Sequence, residues 1–205
     1  MILLKKINLK SGAFHCINKP EKFTLTEDQL IIETEPETDF WQKTYYGFSK
    51  SNGHAYMKKI NENCTFTVKT SFKTGTMYDQ CGVLIFLDNE NWVKVSVEHE
   101  NKDFARLGSV FTNMGFSDWA TADISSSVTL MWYRVSIKDN DVYIEYSLSG
   151  KDFKQMRMLH LHKPLKDLWI GVYACSPLKS SFRAVFSDFR IGDCTWPEYN
   201  EKSIT

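Results

Sequence analysis

Long apolar runs are absent from this 205-residue sequence. The longest is about six residues, whereas a helix that spans a bilayer needs roughly 20, so we expect no membrane partner. An excess of one charge is also absent, because 25 Lys plus Arg residues balance 25 Asp plus Glu residues. Nucleic-acid-binding domains normally carry a basic stripe, so we expect no nucleic-acid partner either.

A cysteine framework is absent, because the five cysteines are odd in number and widely scattered. No pair has zinc-ligand spacing, and free thiols are typical of a reducing compartment. The start, "MILLKKINLK", places its basic residues after its apolar patch, which is not the order of a secretion signal. We therefore expect a cytoplasmic protein with five free thiols. No motif indicates a metal or a nucleotide cofactor.

Aromatic residues are abundant, at 14% of the chain, and apolar residues alternate with polar ones along most of it. This period of two predicts β-strands, and short strands separated by turn residues at regular spacing predict a sandwich or a barrel. We expect an all-β fold and one domain over residues 1–205. The predicted strands are 13–17, 22–26, 29–34, 55–60, 64–73, 80–88, 92–100, 104–113, 127–138, 142–148, 153–161, 168–175 and 182–191.

The segment 78–113 predicts a three-stranded meander with one apolar face. Strand registers follow from matching apolar faces, since a slip of one residue turns every side chain to the other face. A three-residue loop at 89–91 sets Lys94 opposite Phe86, and the next hairpin sets Arg106 opposite Glu98. The residues predicted to be buried between two sheets are Cys81, Val83, Ile85, Val93, Val95, Val97, Leu107 and Phe111.

The opposite face of this meander mixes aromatic and charged residues, and we interpret it as a binding groove. Gly82 and Gly108 flank it, and glycine in a strand often marks a close approach, so we predict a trough there. A hairpin over 132–147, with its turn at 140–141, predicts a second mixed face on the same concave sheet. The alternative is that both faces are only solvated. The groove residues are Gln80, Trp92, Lys94, Ser96, Glu98 and Arg106.

Seven motifs occur in order: "TDFW" at 38–41, "YDQCGV" at 78–83, "NWVKVSVE" at 91–98, "LGSVFTN" at 107–113, "GFSDWA" at 115–120, "IGVYACSP" at 170–177 and "FSDFRI" at 186–191. Together they resemble the regulation-of-enolase family over roughly residues 35–195. Cys81 stands where that family commonly has a small residue such as alanine. The resemblance implies a concanavalin A-like jelly-roll sandwich of two antiparallel sheets, the concave one often carrying sugar.

Two loops supply further candidate ligand-binding residues. The loop "GFSDWA" offers a hydroxyl, a carboxylate and an aromatic face at Ser117, Asp118 and Trp119, which suit the hydroxyl rim and the apolar face of a pyranose. Its alternative reading is a capped turn with the tryptophan in the core. Asp79 and Gln80 either bind a ligand at the end of the groove or, in the case of Asp79, cap the local backbone.

Catalysis is an alternative to binding. A glycosidase needs two carboxylates about 5–9.5 Å apart, and the candidates are Glu98 with Glu100 or with Asp118. The Glu-x-Asp-x-x-Glu signature of laminarinase-like enzymes is absent, so catalysis is the less favoured reading.

The sequence therefore leaves three alternative functions open. The first is a non-catalytic module that binds a carbohydrate or another small polar ligand such as a polyol. The second is a glycan-active hydrolase. The third is a regulator whose aromatic surface docks a metabolic enzyme.

Overall fold

The computed structural model describes residues 4–163 and 167–196, which form strands, turns and loops. No helix in these ranges is long and apolar enough to cross a membrane. The strands are β1 (Lys5–Lys6), β2 (Phe14–Ile17), β3 (Phe23–Leu25), β4 (Gln29–Glu33), β5 (Phe40–Gln42), β6 (Ser49–Ser51), β7 (His54–Ile60), β8 (Cys64–Phe72), β9 (Gln80–Asp88), β10 (Asn91–His99), β11 (Phe104–Asn113), β12 (Phe116–Ser125), β13 (Leu130–Lys138), β14 (Asp141–Ser147), β15 (Lys154–His160), β16 (Leu168–Cys175) and β17 (Arg183–Asp193).

Two large antiparallel sheets pack face to face. The front sheet has the strand order β12-β11-β10-β9-β16-β7-β2, and the back sheet has the order β15-β14-β13-β8-β17-β4-β3, with β1 added to β17. A third element is the small hairpin formed by β5 and β6. The all-β sandwich expected from the alternation of the sequence is confirmed.

The core between the two sheets contains the residues that the alternation predicts. Seven of the eight residues expected there from β9, β10 and β11 are buried, and Phe111 is half-buried against the same cluster. Each strand contributes every second residue, because successive side chains point to opposite faces. All five cysteines lie in the described ranges and are free thiols, as predicted.

The predicted register is right for one hairpin and wrong by two residues for two others. Glu98 pairs with Arg106 as expected. In the β9–β10 hairpin, however, Lys94 pairs with Leu84 instead of Phe86. The turn is tighter than the predicted three-residue loop, because the Asp88 carboxylate accepts the N–H of Glu90, and a bulge follows. A shift of two residues preserves the face, so the predicted faces remain correct.

The hairpin of β13 and β14 shows the same two-residue error. Val135 pairs with Ile144 and Lys138 with Asp141, so the turn lies at 139–140 rather than at 140–141. These strands belong to the back sheet. The prediction that both mixed faces share one concave sheet was therefore wrong, because they lie on opposite outer surfaces of the sandwich.

The predicted trough at the two strand glycines is also wrong, because protein atoms already fill both positions. A Cβ added to Gly82 would lie 1.8 Å from the carbonyl oxygen of Val95. A Cβ added to Gly108 would lie 2.9 Å from Thr121 Cγ2 and 3.3 Å from Trp119 Nε1. Glycine is needed here for close approach of neighbouring protein atoms, and not to leave room for a ligand.

Gly82→Ala is accordingly expected to destabilise the protein by at least about 3 kcal/mol, the upper end of the usual cost of overpacking, because the clash is with backbone atoms. The measurement is the free energy of unfolding from urea denaturation. Gly75→Ala is the matched control, since a Cβ there meets nothing within 4 Å. Equal stability of the two variants would contradict the close approach at Gly82.

Candidate functional site

The β5–β6 hairpin covers part of the outer face of the front sheet. Phe40 contacts the rings of Trp92 and Tyr173 edge-on, with both centroid distances at 6.0 Å. The N–H of Gln42 donates to Ser117 Oγ at 2.9 Å, which joins the hairpin to β12. A second buried apolar cluster therefore lies under the hairpin, on the side of the front sheet that faces away from the main core.

Trp92 belongs to this second cluster and does not offer a face to a ligand. Its side chain is 0% exposed, and its indole N–H donates to the carbonyl of Asn89. The prediction that Trp92 is one of the groove residues was therefore wrong. The sequence could not reveal this, because Phe40 covers it from a segment 52 positions earlier in the chain.

A cavity of about 530 Å³ remains beside the hairpin, within the range typical of small-molecule sites. Four of the predicted residues line it, namely Gln80, Lys94, Glu98 and Trp119. The other lining residues were missed: Asp39, Trp41, Tyr46, Phe48, Lys50, Tyr78, Val110, Pro177 and Leu178. Aromatic side chains form much of its wall, and ionisable groups lie at its floor.

The floor holds a buried ion pair. Lys94 Nζ lies 3.0 Å from Asp39 Oδ1, and both residues are buried. The same Asp39 oxygen accepts the N–H of Phe40 at 2.7 Å. Burial lowers the pKa of Lys94, but the charge of Asp39 outweighs it with help from other neighbours, so the pKa of the ammonium is raised overall. Lys94 therefore remains a cation.

Glu98 is the unusual group of the floor. Its Oε2 accepts from Gln80 Nε2 at 2.8 Å, and Gln80 Oε1 in turn accepts the hydroxyl of Tyr173 at 2.9 Å. Its Oε1 is buried and has no hydrogen-bond partner among the described residues. Burial raises the pKa of Glu98 to about 7, although Lys94 opposes this, so the carboxyl exchanges a proton near neutrality.

Glu100 and Arg106 form an ion pair with each other. Arg106 Nε donates to Glu100 Oε2 at 2.7 Å, although its backbone partner across the ladder is Glu98. The guanidinium also lies 5.7 Å from the ring centroid of Trp119. Glu100 is therefore engaged with the arginine and does not line the cavity.

The segment predicted as the loop "GFSDWA" is the start of β12, an edge strand of the front sheet. Because neighbouring residues of a strand face opposite ways, Ser117 and Trp119 face the cavity side and Asp118 does not. Asp118 instead lies 3.3 Å from Arg157 of the back sheet. The proposed pairing of Asp118 with Glu98 as two catalytic carboxylates was therefore wrong. The Ser117 hydroxyl is used by Gln42.

Asp79 has the second of its two predicted roles. It is buried, and its carboxylate accepts the hydroxyl of Ser180 at 2.7 Å and the backbone N–H of Thr76 at 3.1 Å. These contacts cap the loop before β9. Asp79 is not among the residues that line the cavity.

The described residues contain no group of three or more His, Cys, Asp and Glu side chains placed to hold a metal ion. The cavity offers a ligand the aromatic faces of its wall, the carboxyl group of Glu98 and the amide of Gln80. It can enclose a small ligand that is apolar on its faces and polar on its edge.

Residues 16–194 match the family described as a protein of unknown function, DUF1349. The chain belongs to the DUF1349 family. It is 29% identical to Regulation of enolase protein 1 of Saccharomyces cerevisiae over 192 residues, which are 93% of this chain and 94% of that protein. It is 24% identical to an uncharacterized protein of Emericella nidulans over 158 residues, 73% of this chain and 78% of that protein. The resemblance to the regulation-of-enolase family is confirmed.

Solved structures with this fold include a chain of unknown function. A functionally unknown protein from Saccharomyces cerevisiae has a TM-score of 0.82 at 28% identity, with 91% of this DUF1349 chain and 98% of that chain covered. The GH43 protein BlXynB from Bacillus licheniformis has a TM-score of 0.70 at 14% identity, covering 91% of this chain and 38% of that one. The exoplasmic/lumenal domain of VIP36, in a Ca²⁺/Man3GlcNAc-bound form, has a TM-score of 0.59 at 10% identity, covering 99% and 95%.

The similarity to the GH43 protein and to the VIP36 domain concerns the fold alone. Together with the two antiparallel sheets, it confirms the concanavalin A-like sandwich for this DUF1349 chain.

Proposed function

We propose that this chain is a carbohydrate-binding or small-polyol-binding module whose ligand lies in the cavity between the β5–β6 hairpin and the front sheet. The observation that carries the proposal is the carboxyl group of Glu98, which lines the cavity and has one oxygen without a partner. Buried polar groups are normally hydrogen-bonded, so an unpaired one at a cavity floor is a candidate ligand contact.

The charges of the floor favour an uncharged ligand. Asp39 and Lys94 neutralise each other at 3.0 Å. The pKa of Glu98 is about 7, so both protonation states are available near neutrality. The carboxylate accepts a hydrogen bond from a ligand hydroxyl, and the protonated acid donates one to it. Its Oε1 is buried in the structure, so the carboxyl group must rotate about χ3 to contact a ligand. This rotation costs little, because the χ3 torsion of glutamate has a broad energy minimum.

The walls favour a ring with an apolar face. Trp41 and Trp119 meet edge to face at 6.5 Å, and Tyr46 packs on Trp41 at 5.5 Å. A pyranose offers a C–H face to such rings and a rim of hydroxyls to the polar floor. The GH43 protein and the Man3GlcNAc-bound domain with similar folds support the proposal only as precedents of the architecture.

Binding is better supported than hydrolysis. The raised pKa of Glu98 suits a general acid, but hydrolysis needs a second free carboxylate. Glu100 is held by Arg106 and Asp118 faces away, while Asp39 is engaged by Lys94. A glycan array probed with the labelled protein, followed by thermal-shift measurements with soluble sugars, tests the proposal. Turnover of aryl glycosides would favour hydrolysis instead.

We expect Trp119→Ala to weaken binding of the array ligand by about 1 kcal/mol, roughly fivefold in Kd, because it removes an aromatic contact. The measurement is titration calorimetry. Tyr143→Ala is the control, since Tyr143 lies on β14 of the back sheet and does not line the cavity. If both variants bind as tightly as the parent, the ligand does not lie against Trp119.

We also propose a cytoplasmic location, which the five free thiols support because a reducing compartment keeps cysteines unpaired. Cell fractionation with an antibody against the chain tests it, and recovery from a secreted fraction would contradict it.

A further inference from the structure

We infer that the cavity receives one terminal sugar ring end-on and excludes the interior of a polysaccharide chain. This inference rests on the proposed function and adds the class of ligand. Its basis is the position of the walls around the floor.

Side chains border the cavity towards both ends of β10. At the Trp92 end, Phe40 packs on Trp92 and Tyr173, so the hairpin blocks the outer face of the sheet. At the Glu98 end, Tyr78 lines the cavity from the loop that precedes β9. A chain of sugars that ran parallel to the strands would therefore have to pass over the hairpin or over Tyr78.

Side chains border the cavity across the strands as well. Trp119 stands on β12 at one edge of the front sheet, and Leu178 follows β16 on the other side of β9. A polysaccharide that crossed the strands would have to pass over both residues. The rings of Tyr46 and Phe48 also line the cavity and are 51% and 42% exposed, so we place its entrance beside them, above the floor.

The polar groups of the floor fit one ring. Gln80 is bonded to Glu98 and Tyr173, and Lys94 is bonded to Asp39. The Glu98 carboxyl is then the one floor group with a buried, unpartnered oxygen among the described residues. A groove for the interior of a chain would instead need polar contacts repeated along its length.

The hairpin that borders the Trp92 end is held by hydrogen bonds within itself and to the sheet. Asn52 Oδ1 accepts the N–H of Asp39 at 2.9 Å, and Gln42 Nε2 donates to Ser51 Oγ at 2.9 Å. Ser117 accepts the N–H of Gln42 from the side of β12. This border of the cavity is therefore part of the folded structure.

A glycan array sorted by terminal residue and by interior linkage tests this inference, with methyl glycosides of glucose, mannose, galactose, xylose and arabinose as soluble competitors. The expected hits share a terminal residue, and the methyl glycoside of that residue alone displaces the protein. Its Kd should lie within about threefold of that of the longer glycan, because only one ring is enclosed.

Hits that share an interior linkage, with oligomers binding more than about tenfold tighter than any methyl glycoside, would overturn the end-on inference and leave sugar binding intact. An array without any hit would overturn the proposed function and this inference with it.

A variant supplies a second, independent readout. Leu178→Ala lowers one side wall and is expected to admit array glycans that carry extra branches on the terminal ring and that the parent rejects. Leu148→Ala is the control, because this exposed leucine lies in the turn after β14 of the back sheet. An unchanged array pattern for Leu178→Ala would contradict the claim that the Leu178 side chain excludes branched terminal rings.

Discussion

Glu98→Gln is expected to stabilise the protein, relative to the parent, by about 3 kcal/mol more at pH 8 than at pH 4.5. Burial raises the pKa of Glu98 from 4.5 to about 7, so the folded state holds a proton that the unfolded state releases. Stability from this group is present in full below pH 4.5 and is lost as the pH rises through 7. Each unit of pKa shift corresponds to about 1.4 kcal/mol, and glutamine has no proton to lose.

The measurement is urea denaturation of parent and variant at several values between pH 4.5 and pH 8. Glu145→Gln is a suitable control, because this buried carboxylate of the back sheet pairs through both oxygens with Arg134. That variant should lose stability instead of gaining it. Parallel pH profiles of the parent and Glu98→Gln would contradict the raised pKa.

Lys94→Met is expected to destabilise the protein by about 3–5 kcal/mol, because it leaves the buried carboxylate of Asp39 without its cation. The Lys94 side chain is 4% exposed and that of Asp39 is 12% exposed, so solvent replaces the lost partner only in small part. The additional variant Asp39→Asn in the Lys94→Met background should recover part of the loss. The measurement is again the free energy of unfolding.

Lys50→Met is the matched control for this change. Lys50 lines the same cavity at its rim, and its ammonium donates to the carbonyl of Glu37 instead of to a buried carboxylate. A loss of less than about 1 kcal/mol is expected there, in line with exposed polar contacts. Equal losses of unfolding free energy in Lys50→Met and Lys94→Met would show that the buried Lys94–Asp39 pair matters no more for stability than an exposed polar contact.

The faces of the strands could be predicted from the sequence, but their exact registers could not. Alternation of Val93, Val95 and Val97 with Lys94 and its neighbours identifies the core side, because a strand has a period of two. Turn length is less certain. The Asp88 side chain tightens the β9–β10 turn, and only the structure shows that the register moves by two residues.

The candidate site could be predicted in part. Gln80, Lys94 and Glu98 share one face of two adjacent strands, so their convergence follows from alternation and pairing. The burial of Trp92 and the role of Asp39 depend on the β5–β6 hairpin, whose position is a long-range contact with no local signal. The motif "TDFW" was an available signal for Asp39, since it is one of the segments that carry the family resemblance.

The sequence did not predict strand β12. Most of its residues are exposed, so it lacks the apolar alternation that identifies other strands. Its Trp119 was still selected because an aromatic residue next to a hydroxyl and a carboxylate suits a sugar. The strand conformation then turns Asp118 away from the cavity, and a loop conformation would not have required this.

The most direct test of sugar binding over Glu98 is a crystal structure of the protein with the monosaccharide that displaces it from the array. The expected complex has one ring in the cavity beside Trp119, with a hydroxyl within about 3 Å of the Glu98 carboxyl group. A sugar bound elsewhere on the sandwich, with Glu98 Oε1 still unpaired beneath an unfilled cavity, would contradict the proposal.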